Sequence, residues 1–245
     1  MKIMMNRLRS YMLYLQDLKE IKKQKGQDDT FPLGKSKKIL RERFEESGVM
    51  SGHYFHQDLH VARRIFLNNP QRHVDVGSRT DGFVAHVAVF REIEIFDIRE
   101  QTKKVKNVIF KKADLTLLPP ELINYCDSIS SLHAIEHFGL GRYNDPIDYF
   151  GYLKAIHNLG QILKPGGKFY FSVPIGPQRI EFNAHRVFSI AYVLELFSEK
   201  FVLDQFSYVD DTGDIFEDVT LTKDAIDKNF GCWYGCGIFE FTKRT

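Results

Sequence analysis

The chain has 245 residues, 43% hydrophobic, 13% aromatic and 27% charged, a composition that can bury a large core and excludes disorder and fibrous repeats. Thirty-four Lys and Arg against 32 Asp and Glu leave a formal net charge of +2, so no global field draws the chain onto nucleic acid and none is expected as a partner. Cys126, Cys232 and Cys236 are too few for a disulfide scaffold and favour a reducing compartment. With no uninterrupted apolar run near the roughly 20 residues of a spanning helix, and no secretory-type start, a cytoplasmic protein is expected.

The basic charge sits at the front. Residues 1–50 hold twelve Lys or Arg and seven Asp or Glu, a net of +5, while residues 51–245 hold 22 and 25, a net of −3. Met4, Leu8, Tyr11, Leu15 and Leu18 recur every three or four residues and predict an amphipathic helix. A polar stretch from Lys22 to Lys38 reads as a linker. Two roles stay open for this extension: packing on its own domain, or peripheral docking on an anionic inner membrane face or a partner protein.

From His73 onward β-rich runs alternate with helical patterns, the signature of βαβ units around a parallel sheet. Strands are expected at 73–77, 92–97, 107–110, 126–131, 168–174, 201–209 and 232–243, and helices at 82–90, 145–163 and 186–199. Lys164-Pro-Gly-Gly reads as a helix stop.

The loop from Asp75 to Gly82 joins a strand to a helix, where backbone N–H groups face a ligand beyond the carboxyl ends of the strands. Gly77 permits a sharp turn and close approach, and Asp75 takes a positive group or orders the loop. Asp97 ends the second strand 22 residues after Asp75, near the offset at which an acid reaches ribose hydroxyls. Asp114, after the third strand, falls where a carboxylate meets an adenine amino group, or is simply an exposed turn residue.

VDVGSRTDGF, FD, ADL, CDSISSLHAIEHF and LKPGGKFYFSVP together resemble the class I S-adenosylmethionine-dependent methyltransferases, over about residues 72–243. Within them, HYFHQD, GSRTDGFVAH and GCGIFEF resemble an uncharacterised family often encoded beside bacterial surface-polysaccharide genes. The resemblance implies an α/β, Rossmann-like seven-stranded sheet with helices on both faces, an antiparallel last strand and a helical N-terminal extension. It implies S-adenosyl-L-methionine as cofactor, held by Asp75, Gly77, Ser78, Arg79, Gly82, Asp97, Ile98, Asp114, Leu115, Leu132 and His133, with Ser131–His133 walling the methionine part. Where the family alternates glycines, this loop has Arg79 and Asp81; Arg79 offers a bidentate fork for the methionine carboxylate, or lies on the surface.

Methyl transfer from a sulfonium needs an aligned acceptor and a base to take its proton. Glu136 and His137, expected to open the helix after the fourth strand, and His185, after the fifth, are the catalytic candidates, with Asn183 and Arg186 toward the substrate. His53, His56 and His60 share one helix face at a spacing that also suits a metal, but without a cysteine or carboxylate partner no metal site is expected. Tyr54, His56 and Asp58 read instead as a lid, and Cys232 and Cys236 as packing residues. The inner resemblance implies O-methylation of a small-molecule or glycan acceptor, by a chain that could also self-associate. The alternatives are a non-catalytic scaffold in glycan assembly and an NAD-dependent oxidoreductase, the latter disfavoured by the absent GxGxxG.

Overall fold

The computed structural model describes residues 2–245, with side chains from residue 6 onward; the apolar position at Met4 lies outside those described side chains. The chain divides into two units, residues 1–50 and 51–245. The first consists of helix α1 (Lys2–Lys25) followed by largely irregular chain. Within it Leu8 and Leu15 stay exposed, Arg43 pairs with Asp17, and Arg9 lies 5.1 Å above the Phe44 ring. Among the described residues, no helix is long and apolar enough to cross a membrane.

The second unit starts with α2 (His53–Asn68), whose Val61, Ala62 and Ile65 form one buried stripe at helical spacing. Then follow β1 (His73–Val76), a π-type turn at Thr80–Val84 running into the single-turn α3 (Ala85–Ala88), β2 (Ile93–Asp97), β3 (Val108–Lys112), β4 (Cys126–Leu132), α4 (Gly151–Ile162) and β5 (Leu163–Ile175). A short hairpin, β6 (Arg179–Glu181) and β7 (His185–Val187), precedes α5 (Ile190–Ser198), β8 (Phe201–Val209), β9 (Ile215–Phe216), α6 (Lys223–Asp227) and β10 (Gly235–Lys243).

The sheet order is β3-β2-β1-β4-β5-β10-β8-β9. β1 to β5 pair in parallel, and β10 inserts antiparallel between β5 and β8 with Phe239 opposite Phe171. Side chains alternate between the faces, so two apolar layers form. One gathers Val74, Val76, Phe96, Phe169, Phe171, Phe239 and Phe241 against α4 and α5; the other gathers Ile93, Ile95, Tyr170 and Ile238 against α2 and α3. Both sheet faces are therefore covered, as a mostly parallel sheet requires.

Four expectations change. The sheet has eight strands, because β8 turns back at Val209 and β9 pairs Ile215 with it. α4 begins at Gly151 rather than Asp145, because the Asp145 carboxylate accepts the Gly139, Gly141 and Tyr143 amides and shapes a loop. Glu136 and His137 form a single tight turn, Ile135–His137, and open no helix. Arg186 lies in β7, and α5 starts only after Ser189, whose hydroxyl caps it by accepting the Tyr192 amide.

Candidate functional site

The carboxyl ends of β1 to β4 converge on a cleft of about 780 Å³, open mouth included. Val76, Phe96, Ala113, Leu115, Ala134 and Phe138 give it apolar walls, while Asp97 and Asp114 supply carboxylates from the ends of adjacent strands. A cleft with apolar walls and few convergent polar groups suits a small organic ligand.

Turn chemistry builds its floor. Gly77 takes φ +72°, and its amide donates to the Phe96 carbonyl at 3.1 Å. A Cβ on it would stand 3.0 Å from Ala134 Cβ, so a side chain would be both strained and crowded. Ser78 ties two loops together: its hydroxyl donates to Asp75 Oδ1 at 2.6 Å and accepts the Leu132 amide at 3.0 Å. Ser130 Oγ also donates to Asp75 Oδ1 at 2.6 Å, and the Ser78 amide to Oδ2 at 3.1 Å. Asp75 is fully buried, and burial pushes its carboxyl up to about 6 against these donors. It orders the loop and does not face the cleft, contrary to a direct ligand role.

Asp97 accepts the Arg99 amide at 2.7 Å and the Arg99 guanidinium at 3.0 and 2.6 Å, and Arg99 stacks 4.3 Å over Tyr143. Asp114 accepts the Thr116 amide and hydroxyl at 2.9 and 2.7 Å. Arg99 and Tyr143 both line the cleft and were not singled out by sequence; only the pairing of Arg99 two residues beyond Asp97 could have pointed to the first.

The remaining candidates divide. Gly77, Asp97, Ile98, Asp114, Leu115 and His137 line the cleft, whereas Ser78, Leu132 and His133 are buried behind it. Arg79 pairs bidentately with Asp81 at 3.1 and 2.9 Å and sits 4.8 Å over Tyr54. Gly82 allows Asp58 to approach, since a Cβ there would meet Asp58 Oδ2 at 2.3 Å. Asp58 is buried beside Gln57 Nε2, and burial pushes it up to about 6. That is helix docking, not a lid. His56 is half-buried, its ring edge-on to Phe55. Arg186 is buried and donates to the Phe138 and Tyr149 carbonyls at 2.7 and 3.0 Å, so it braces loops and has no free fork for substrate. Asn183 is exposed.

His137 Nδ1 lies 2.7 Å from the Ala184 carbonyl and 3.3 Å from Arg142 Nη1, and its Nε2 lies 3.6 Å from Glu136 Oε1. Burial outweighs the nearby Glu136 carboxylate and holds His137 below its ordinary 6.5. Burial would raise Glu136, but the His133 and His137 rings hold it below its ordinary 4.5, so it is ionised at neutral pH. His133 Nδ1 donates to Glu136 Oε1 at 2.8 Å. His185 Nε2 lies 3.1 Å from Glu181 Oε2, and its ring meets Tyr234 at 5.0 Å.

Strand order, the glycine turn after β1, the acid ending β2 and the antiparallel β10 define a Rossmann-like fold of the class I methyltransferase type. Solved structures agree. The 1,6-didemethyltoxoflavin-N1-methyltransferase of Burkholderia thailandensis, crystallised with S-adenosylhomocysteine, is 14% identical, with TM-score 0.53 over 77% of this chain and 79% of that one. The N-methyltransferase NodS of Bradyrhizobium japonicum is 12% identical, with TM-score 0.54 over 80% of this chain and 100% of that one. A cyclase, SpnF, is 18% identical, with TM-score 0.52 over 77% and 80% of the two chains. At such identities the likeness establishes the fold and not the reaction. Comparison with curated proteins gives no match. Residues 68–230 match the family described as "Caenorhabditis protein of unknown function, DUF268", and the chain belongs to that family.

Proposed function

We propose that the protein is an S-adenosylmethionine-dependent methyltransferase acting on a hydroxyl of a sugar or surface-glycan intermediate. One observation carries the transferase half: Asp97 ends β2, Asp114 follows its parallel neighbour β3, and both line one apolar-walled cleft. The fold shared with enzymes crystallised with S-adenosylhomocysteine supports the choice of donor. The sugar half rests on the resemblance of HYFHQD, GSRTDGFVAH and GCGIFEF to the polysaccharide-associated family. The basic segment 1–50 suits an anionic membrane face or an acidic partner, with the protein working in the cytoplasm.

The residues present fit the donor. Asp97 would accept from ribose hydroxyls and Asp114 would sit at the adenine edge, with Phe96, Leu115 and Phe138 enclosing the base and Gly77 admitting the chain that leads to sulfur. When bound, the donor would supply a methyl group already activated for transfer by its sulfonium, which becomes a neutral thioether on losing it. His137, which lines the cleft, accepts the acceptor's hydroxyl proton. His185, beside Tyr234, is the second candidate base.

Calorimetry with S-adenosylhomocysteine and with NAD tests the reading. Binding of the first alone supports it; binding of NAD alone supports an oxidoreductase, and binding of neither a scaffold. Asp97→Ala is expected to weaken S-adenosylhomocysteine binding by about 1.5–3 kcal/mol through lost charge-assisted bonds, and unchanged affinity removes Asp97 from the site. Mass spectrometry of glycan precursors, seeking the gain of one methyl, tests the acceptor.

A further inference from the structure

Beside the cleft, three side chains from three distant elements meet. His53 opens α2, His133 follows β4 and Cys236 lies in β10, and one ligand atom from each falls within 4.8 Å of the others. His133 and Cys236 are buried and His53 is half-buried. The His53 and His133 ring centroids lie 5.3 Å apart, with the ring planes 13° from parallel.

Each donor is prepared for a cation. His133 Nδ1 meets Glu136 Oε1 at 2.8 Å, and its Nε2 is buried without any hydrogen-bond partner. A carboxylate behind a histidine is the arrangement that orients metal-bound imidazoles and raises their basicity. Cys236 is a free thiol with no sulfur partner, its Sγ 3.6 Å from Gln57 Oε1. Leaving a buried polar nitrogen unpaired is costly, and a bound cation would remove that penalty.

We propose that His53, His133 Nε2 and Cys236 Sγ form a site for a borderline-soft divalent metal ion, zinc fitting best, with at least one coordination position open. Two imidazoles and a thiolate suit zinc and disfavour magnesium or calcium, which take oxygen ligands. Zn–N of about 2.0 Å and Zn–S of about 2.3 Å place tetrahedral donors roughly 3.3–3.6 Å apart, so the three groups, within 4.8 Å of one another, close by at most about 1.5 Å on binding. Three protein ligands and a vacant fourth position characterise catalytic rather than structural zinc. On the methyltransferase reading, the open position would take the acceptor oxygen and ease loss of its proton.

The test needs neither methyl donor nor acceptor, so its failure and failure of the methyltransferase reading are separate events. The reduced, chelator-treated full chain is titrated with cobalt(II), then with zinc(II). One equivalent of cobalt is expected to bind with thiolate-to-cobalt charge transfer in the near ultraviolet and intense visible bands of a tetrahedral ion, and zinc is expected to bleach both. Cys236→Ser should abolish the charge-transfer band, and His53→Ala and His133→Ala should each weaken binding at least tenfold, while Cys126→Ala keeps the wild-type spectrum. Absence of saturable binding by the wild-type chain, or of the charge-transfer band from its spectrum, overturns the proposal, even if a variant fails to fold. So does a band that survives in folded Cys236→Ser, or affinity indifferent to both histidines.

Discussion

Both oxygens of Asp75 are consumed inside the protein by Ser78 and Ser130. Asp75→Ala would strand a buried amide and two hydroxyls, and a loss of about 3 kcal/mol in urea unfolding is expected. Asp75→Asn, which keeps an acceptor, should lose less; an alanine variant as stable as the parent would refute the bracing role. His73, between the Ser128 and Ser130 hydroxyls at 2.8 and 3.1 Å, is driven by burial from 6.5 down to about 3. Between those values the unfolded chain binds the proton and the native chain does not, so this contribution to stability is lost as pH falls below 6.5. Asp58 and Asp75, raised from 3.8 to about 6, run the other way, and their contribution declines as pH rises across that window. Urea midpoints from pH 7 to pH 4, compared between the parent and His73→Gln, test His73, because the variant should lack the part of the stability that is lost as pH falls; an identical pH dependence in both would contradict the assignment.

At the scale of elements, the junction of β5, β10 and α5 is aromatic. Phe239 stands opposite Phe171 in the sheet and 4.8 Å from Phe206, while Phe197 of α5 stacks on Phe241 at 4.5 Å. Phe239→Ala should cost about 4 kcal/mol, because a fully buried ring in so rigid a setting leaves a cavity that neighbours fill poorly. A loss below about 1 kcal/mol by thermal melting would mean the layer repacks freely. The turn after β1 is the second pressure point. Gly77→Ala combines a positive φ with contact to Ala134, and both a loss of roughly 1–2 kcal/mol and weaker S-adenosylhomocysteine binding are expected. Calorimetry showing parental affinity would separate that turn from the ligand.

Across the whole molecule, every residue of the two apolar layers and every wall of the cleft belongs to residues 51–245. The fragment 51–245 is therefore expected to unfold cooperatively in urea and to bind S-adenosylhomocysteine as the full chain does. A fragment without a cooperative transition would assign residues 1–50 a share of folding. The full chain, but not the fragment, should cosediment with anionic vesicles if the basic segment docks on membranes, and loss of that difference would remove the membrane role. The likeness to both methyltransferases and a cyclase shows why activity must be argued from the cleft.

The alternation of short β-rich runs with helical patterns determined the parallel sheet, and the offset from Asp75 to Asp97 placed an acid in the cleft, because strand period and crossover length are local properties written along the chain. Local pattern misplaced the starts of α4 and α5, where the Asp145 carboxylate and the adjoining β6–β7 hairpin compete with helix formation. Tertiary structure alone decided that Asp75 turns inward, that Arg186 braces loops, and that Arg99 and Tyr143 join the cleft. It alone brought His53, His133 and Cys236 together, since residues 80 and 103 positions apart in sequence meet only when α2, β4 and β10 pack, and no spacing rule spans such distances.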